Sequence, residues 1–394
     1  MKTKNIKFLF DVLKFSFIAF GGPQAHIAMM LKEFVDKKKY VTEGELIQYN
    51  ALSQMLPGPS STQTLVAIAY KFGGLPLAIA SFLVWVIPSA LMMLVFSIFF
   101  IKMGVGQRTA NVVFVLKPIA IGFVAYSAYI LTKKVLSNSF SYVLAILSAI
   151  ITIYFQNAYA FPAVIILGIV GSIFFGKGKP VFNNNPIPFN WRKLIPFFGI
   201  LIFFALLGAI INRTSFFSLP VRLFENFYRN GIMIFGGGQV LVPLLYTEFV
   251  EMKHYLSSQE FLAGFALQQA IPGPLFSFTS FIGSMSMRAG GISGQILGSL
   301  AALLGINVPG LLFILMIFPA WEQMKQRRGV QRALEGINSV SVGFAIAAFF
   351  IMSTQVIDQW QSILIMGATF LLLLWNKFAP SFLIIAGLVV GLLI

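Results

Sequence analysis

Two stretches of this chain match without a gap at a separation of 215 residues. Phe20-Gly21-Gly22-Pro23-Gln24 returns as Phe235-Gly236-Gly237-Gly238-Gln239. Gln54-Met55-Leu56-Pro57-Gly58-Pro59 returns as Gln269-Ala270-Ile271-Pro272-Gly273-Pro274. Between positions 20–59 and 235–274, 16 of 40 residues are identical, too many for chance pairing, so the chain is a tandem duplication. What both copies keep are helix breakers set in apolar sequence. A bilayer leaves backbone no partner outside the protein, so a break at that depth must be buried against other segments or line a polar cavity. Two such breaks per copy therefore constrain the fold and point to a site.

The surroundings of the breaks are those of a membrane protein. Of 394 residues, 58% are hydrophobic and only 10% charged, with a mean hydropathy of +0.87; a soluble domain is about 25% charged. Apolar runs at 75–101, 112–131, 194–211 and 292–318 reach the ~20 residues that span a bilayer. The short alternating segments of a transmembrane barrel are absent from the sequence. The expected fold class is an all-α polytopic membrane protein of two homologous repeats with broken or re-entrant helices. The net charge of +16 sits in short connecting segments, which reads as cytoplasmic loops and not as a nucleic-acid surface. It also favours anions in a central cavity. With no cysteine there are no disulfides or thiolates, and His26 and His254 alone do not make a zinc site, so no cofactor and no metal are expected. Asp11 and Lys14 interrupt the first apolar run, which argues against a cleavable leader.

The repeats are placed at 1–175 and 214–394, joined by a polar linker at 176–193 and an unpaired connecting transmembrane helix at 194–213. Pro88 aligns with Pro309, and Gly122-Phe123 with Gly343-Phe344. Each copy runs in the same order: a segment with the glycine break, a polar stretch (32–45 and 247–260), a segment broken at Pro-Gly-Pro, and four apolar spans. A single extra helix between the copies moves the second to the opposite face and predicts an inverted repeat. Charge agrees: Lys32, Lys37, Lys38 and Lys39 face only Lys253 in the partner stretch, while Lys325, Arg327, Arg328 and Arg332 face only Lys102 and Arg108. The N-terminus is placed in the cytoplasm.

The chemistry is expected at the breaks. Two prolines around a glycine end one half-helix and start another, so Pro57, Gly58 and Pro59, and Pro272, Gly273 and Pro274, present new helix N-termini. Unpaired N–H groups and the positive dipole end make such a terminus an anion site. Ser60, Ser61, Thr62 and Gln63 follow in the first copy; Ser277 and Thr279 follow in the more apolar second. The competing reading is a packing kink with hydroxyls bonded back to their own helix. Gly21 and Gly22, with Gly236 and Gly237, make the same argument more weakly, since glycine pairs also serve close helix packing. Gln24, Gln239, Gln54 and Gln269 flank the breaks as amide donors, or as helix glue. Lys14 and Arg229 align seven residues before the paired glycines and are candidates to balance a dianion. His26, Glu33 and Glu248 are the proton-coupling candidates, against the alternative of a packed histidine and solvated loop acids. No phosphate loop, dinucleotide fingerprint or nucleophile elbow is present, so an enzyme or an ATP-driven pump is not expected.

These motifs resemble a known family. Phe20-Gly21-Gly22-Pro23-Gln24-Ala25-His26, then Glu33, then Gln54 with Pro57-Gly58-Pro59 and Thr62-Gln63, is similar to the first half of the chromate ion transporter family. Phe235-Gly236-Gly237-Gly238-Gln239, Pro243-Leu244-Leu245, Glu248 and Gln269-Ala270 with Pro272-Gly273-Pro274 resemble its second half, in the long two-domain form. Tyr40 and Tyr255 stand where members often carry tryptophan. The resemblance implies export of chromate across the cytoplasmic (inner) membrane of a prokaryote, dependent on the proton motive force. The expected partners are a small oxyanion (chromate, with sulfate of similar shape and charge), the lipid bilayer, and optionally a second copy of the chain as a homodimer, with no nucleic acid. The alternatives are an anion channel or a sulfate-type oxyanion transporter of the same fold.

Overall fold

Apolar segments in a bilayer become helices because only a helix satisfies its own backbone within one segment. The computed structural model describes residues 3–19, 22–103, 107–155, 160–175, 199, 202–204, 218–235, 241–318, 328–354, 356–375 and 380–393. Among them every regular element is a helix. The first copy holds α1 (Thr3–Ile18), α2 (Gly22–Met30), α3 (Glu43–Met55), α4 (Ser60–Met103, broken by the non-helical Gly73 and Gly74), α5 (Gln107–Val135), α6 (Ser139–Phe155) and α7 (Ala160–Phe175). The second holds α8 (Ser218–Met233), α9 (Leu241–Tyr246), α10 (Ser258–Ala270), α11 (Phe278–Ser286), α12 (Gly291–Ile317), α13 (Arg328–Ser353), α14 (Trp360–Leu374) and α15 (Pro380–Leu393). Four stretches, Ser60–Lys102, Asn111–Lys133, Arg288–Ile317 and Glu335–Ser353, are long and apolar enough to cross a membrane. The linker at 176–193 and most of 194–213 lie outside the described residues.

The surface is that of a protein in lipid. α4 exposes Leu75, Ile79, Leu83, Ile87, Leu91, Val95 and Phe99 at four-residue spacing, and its counterpart α12 exposes Ile292, Ile296, Leu300 and Leu304. In water such stripes would be aggregation surfaces; in hydrocarbon they are the solvated face. α6 is arranged inside out, with Ser141, Ala145, Ser148 and Thr152 buried and Val143, Ile146, Leu147 and Ile150 exposed. Small residues let helices in a membrane approach closely. Gly343 on α13 is set so near α6 that a Cβ there would strike the Ala145 carbonyl.

The copies repeat each other down to their caps. α2 and α9 each widen into a π-helical turn, Leu31–Lys37 and Thr247–Met252, held by the buried rings of Phe34 and Phe249. Each turn is followed by a left-handed residue, Lys39 at φ 53° and His254 at φ 50°. The next N–H then closes back, Tyr40 to the Phe34 carbonyl at 2.8 Å and Tyr255 to the Phe249 carbonyl at 2.9 Å. The sequence suggests polar connections over 32–45 and 247–260; their first halves are instead helix, because Phe34 and Phe249 anchor them in the core. Thr42 with Glu45, and Ser257 with Glu260, then build identical capping boxes for α3 and α10. Both cap acids also take a cation, Lys71 on Glu45 and Arg288 on Glu260.

That pairing sets a pH dependence. The Lys71 ammonium on Glu45, helped by the Thr42 N–H, holds the Glu45 carboxyl below the usual carboxylate range. A depressed folded value contributes stability above the unfolded pKa and loses it as pH falls through the folded one. Both partners are well exposed, so the contribution is under about 1 kcal/mol. Glu45→Gln keeps the capping acceptor and removes the charge. We expect it to lower the melting temperature slightly at about pH 7 and to match the parent at about pH 3. Melts of the purified protein at both values check this.

Packing between the copies is reciprocal. α5 of the first copy carries α14 and α15 of the second, and α13 of the second carries α6 and α7 of the first. Each copy thus lays its last two helices on the other, the mutual exchange that a two-fold relation produces.

Candidate functional site

Pro57 and Pro59 cannot donate to a helical ladder, and Gly58 at φ 116° takes a backbone conformation that side chains disfavour. α3 accordingly stops at Met55 and α4 starts at Ser60. In the second copy Gly273 sits at φ 109°, α10 stops at Ala270, and a 3₁₀ turn, Leu275–Ser277, leads into α11. The N–H groups of the two glycines do not point into their own copies. Gly58 donates to the Ile234 carbonyl at 2.7 Å, and Gly273 donates to the Ala19 carbonyl at 2.8 Å. Ile234 and Ala19 are themselves equivalent residues, each two positions before a paired glycine. The segment before each glycine break is therefore joined to the Pro-Gly-Pro break of the other copy. Each glycine also packs on the far copy just after an aligned helix proline. A Cβ on Gly58 would lie 2.8 Å from the Gly310 Cα, and one on Gly273 2.8 Å from the Ser89 Cβ.

Around this junction the first copy is the more polar. Ser60, Ser61, Thr62, Gln63 and Thr64 are all buried. Ser61 Oγ meets His26 Nδ1 at 3.2 Å, and Trp85 Nε1 donates to Thr62 Oγ1 at 3.1 Å. His26 is wholly buried with its ring edge-on to Trp85. Gln63 Nε2 donates to the Pro57 carbonyl at 2.8 Å and to the Gly310 carbonyl at 3.0 Å, tying the break to α12. In the second copy Ser277 and Ser89 share a bond of 2.6 Å between their hydroxyls. Thr64 and Thr279 bond back to their own helices, the behaviour of a packing kink; Ser61, Thr62, Gln63 and Ser277 reach across instead. Pro59, Thr62, Gln63, Val66, Phe82, Asn307, Leu311 and Ile314 line a crevice beside the break that is too narrow for a water molecule.

The charged candidates lie on flanking helices. Lys14 is exposed, with its ammonium 4.6 Å from the Phe10 ring centre, and is not brought to the breaks. Arg229 is held by Glu225, donates to Asn226 Oδ1 at 2.8 Å and stands 3.8 Å from Glu248, which also takes Lys253 at 2.9 Å. Glu248 is buried; Glu33, its equivalent, is half-exposed and pairs with Lys37 at 2.5 Å. The corresponding cluster of the first copy is Asp11 with Lys38 at 2.8 Å and Tyr40 at 2.6 Å. Burial, and then the adjacent Asp11, push the Tyr40 hydroxyl well above its ordinary value. Gln54 donates to Asn50 at 3.1 Å, and Gln269 is half-buried. Gly22 opens α2; Gly21, Gly236, Gly237 and Gln239 lie outside the described residues, as does the side chain of Gln24. No group of three metal-ligating side chains occurs among the described residues. Sequence reasoning missed Trp85, Ser89, Asn307 and Gly310, although the alignment of Pro88 with Pro309 marks the right turns of α4 and α12.

A family model described as chromate transporter matches residues 6–174 and 221–392, one block in each copy. The chain is 24% identical over 386 residues to an uncharacterized transporter of Methanocaldococcus jannaschii, covering 97% of this chain and 92% of that one. It is 24% identical over 389 residues to a chromate transport protein of Cupriavidus metallidurans, covering 96% and 90%. An uncharacterized transporter of Bacillus subtilis is 27% identical over 173 residues, 44% of this chain but 96% of its own, so that relative has the length of a single copy. No solved structure matches the chain.

Proposed function

The chain belongs to the chromate transporter family, and on that premise we propose that it is a secondary transporter, not an enzyme, that moves chromate or a related tetrahedral oxyanion out across the cytoplasmic membrane by alternating access. The observation that carries the reading is the reciprocal pair of bonds from Gly58 to Ile234 and from Gly273 to Ala19. In the closed arrangement each copy's break is capped by a carbonyl of the other. Rocking of the copies separates both pairs at once and frees two backbone N–H groups at two half-helix starts, where the dipole favours an anion. Ser60, Ser61, Thr62 and Gln63, with Ser277 and Thr279 opposite, are the donors that select shape. Gly21, Gly22, Gln24, Gly236, Gly237 and Gln239 belong to the facing breaks, with Gln54 and Gln269 at the half-helix ends. Lys14 and Arg229 act as charges of the flanking helices. His26, Glu33 and Glu248 are the residues through which the proton motive force is coupled.

The two-fold exchange of helices and the opposed basic loops support an axis lying in the membrane plane, that is, inverted repeats with the N-terminus in the cytoplasm. The repeats then run over 1–175 and 214–394, joined by the linker 176–193 and the helix 194–213.

Everted vesicles carrying the protein test the reading. Labelled chromate is expected to accumulate when a proton gradient is imposed and to be competed by sulfate and molybdate. Flux that ignores the gradient would make the protein a channel, and absence of chromate flux with folded protein present would overturn the proposal.

A further inference from the structure

The crevice beside the first Pro-Gly-Pro break presents oxygens with nothing to accept. Gln63 uses its amide nitrogen on two carbonyls, Pro57 and Gly310, which leaves Oε1 buried and without a partner. Asn307, fully buried on α12, donates Nδ2 to the Leu303 carbonyl at 2.9 Å, which leaves Oδ1 in the same condition. Flipping either amide would set its oxygen against a carbonyl oxygen, so the bonds fix both orientations. Both side chains line one crevice together with Thr62. Buried acceptors without partners are rare and costly in folded proteins, and two in one crevice call for a ligand. The crevice is too narrow for water to bridge them.

Duplication supplies an internal control. By the alignments above, Gln63 corresponds to Phe278 and Asn307 to Val86. The equivalent positions are thus both apolar, with Phe278 and Val86 fully packed. The fold does not need the two amides; one pair of positions has both and the equivalent pair has neither. Gln63 does tie the break to α12 through its nitrogen, but neither oxygen takes part in any bond of that kind.

We propose that Gln63 Oε1 and Asn307 Oδ1, with the Thr62 hydroxyl, form a binding site for a small dehydrated monovalent cation of the sodium or lithium class. Unpartnered amide oxygens suit such an ion and repel an oxyanion. A dehydrated sodium ion is smaller than the water molecule the crevice excludes, and broken membrane helices present carbonyl oxygens of this kind to monovalent cations. The site adjoins Pro59, where the proposed oxyanion position begins, so cation and oxyanion would influence each other's binding by equal and reciprocal factors. That last link rests on the transporter reading; the cation site itself does not.

The test uses the full chain in detergent without any oxyanion, so a failure of chromate transport leaves it intact. Melting temperatures are compared in chlorides of sodium, lithium and N-methylglucamine at equal ionic strength. Sodium or lithium is expected to raise the melting temperature saturably by about 3–6 °C over N-methylglucamine. Asn307→Val, the residue already present at the equivalent position, is expected to abolish that rise. Asn307→Asp keeps Oδ1 and adds a charge while giving up the Nδ2 bond to the Leu303 carbonyl, and is expected to lower the half-saturating sodium concentration about tenfold; it carries the test if the valine variant does not fold. Identical melts in all three salts for the parent overturn the site. So does a sodium response that survives Asn307→Val.

Discussion

Gly58→Ala is expected to abolish chromate flux and to lower the stability of the protein by about 3–6 kcal/mol, and this is the largest single-residue effect the site predicts. Three causes add. At φ 116° a β-carbon is strained by about 1–2 kcal/mol. The new atom would lie 2.8 Å from the Gly310 Cα, which is backbone and cannot rotate away; overpacking of this kind costs about 1–3 kcal/mol. Relief by displacement would break the bond to the Ile234 carbonyl, losing about 1 kcal/mol more. Gly273→Ala meets the same strain, and its β-carbon lies 2.8 Å from both Cβ and Oγ of Ser89, of which only Oγ can rotate away. Adding Ser89→Gly removes both atoms and is expected to restore part of the loss, Gly310 being the residue the other copy already has there. No such rescue exists for Gly58. Vesicle flux normalised to folded protein, together with melts, checks the series. Parental flux in Gly58→Ala would remove the reciprocal junction from the mechanism.

How much of this was legible beforehand depends on the range of the interaction. Pro57-Gly58-Pro59 and its copy announce broken helices from local chemistry alone, and both breaks fall where the residues place them. The capping boxes at Thr42 and Ser257 are likewise local and readable. The bonds from Gly58 to Ile234 and from Gly273 to Ala19 are not, because they depend on how the copies pack, and only their equal separation of 215 residues hints at reciprocity. The basic residues show the same limit. Lys14 and Arg229 occupy one aligned position and read alike, yet their surroundings are set by what stands four residues earlier, Phe10 in one copy and Glu225 in the other. Trp85 and Asn307 looked like ordinary contents of apolar helices. Their roles come from the elements facing them, Thr62 for the first and the Gln63 crevice for the second.

That contrast makes Arg229→Ala the second large effect, expected to destabilise by about 2–4 kcal/mol even without substrate. Glu225 and Glu248 expose only 14% and 7% of their side chains, so removing the arginine leaves two carboxylates largely out of water, with Lys253 paired directly to Glu248 and acting on Glu225 only through space. The arginine is itself partly exposed, which holds the cost below that of a fully buried pair. Lys14→Ala, the aligned change, removes an exposed ammonium from the Phe10 ring and is expected to cost under about 1 kcal/mol. Installing the first copy's pair in the second, Glu225→Phe with Arg229→Lys, removes the stranded carboxylate together with the arginine and is expected to recover more than half of the loss. Melts without oxyanion separate the two roles open to Arg229. A residue committed to Glu225 and Glu248 shows its whole effect there. A residue that balances a bound dianion melts as the parent does when substituted, and loses only the stabilisation that added chromate confers.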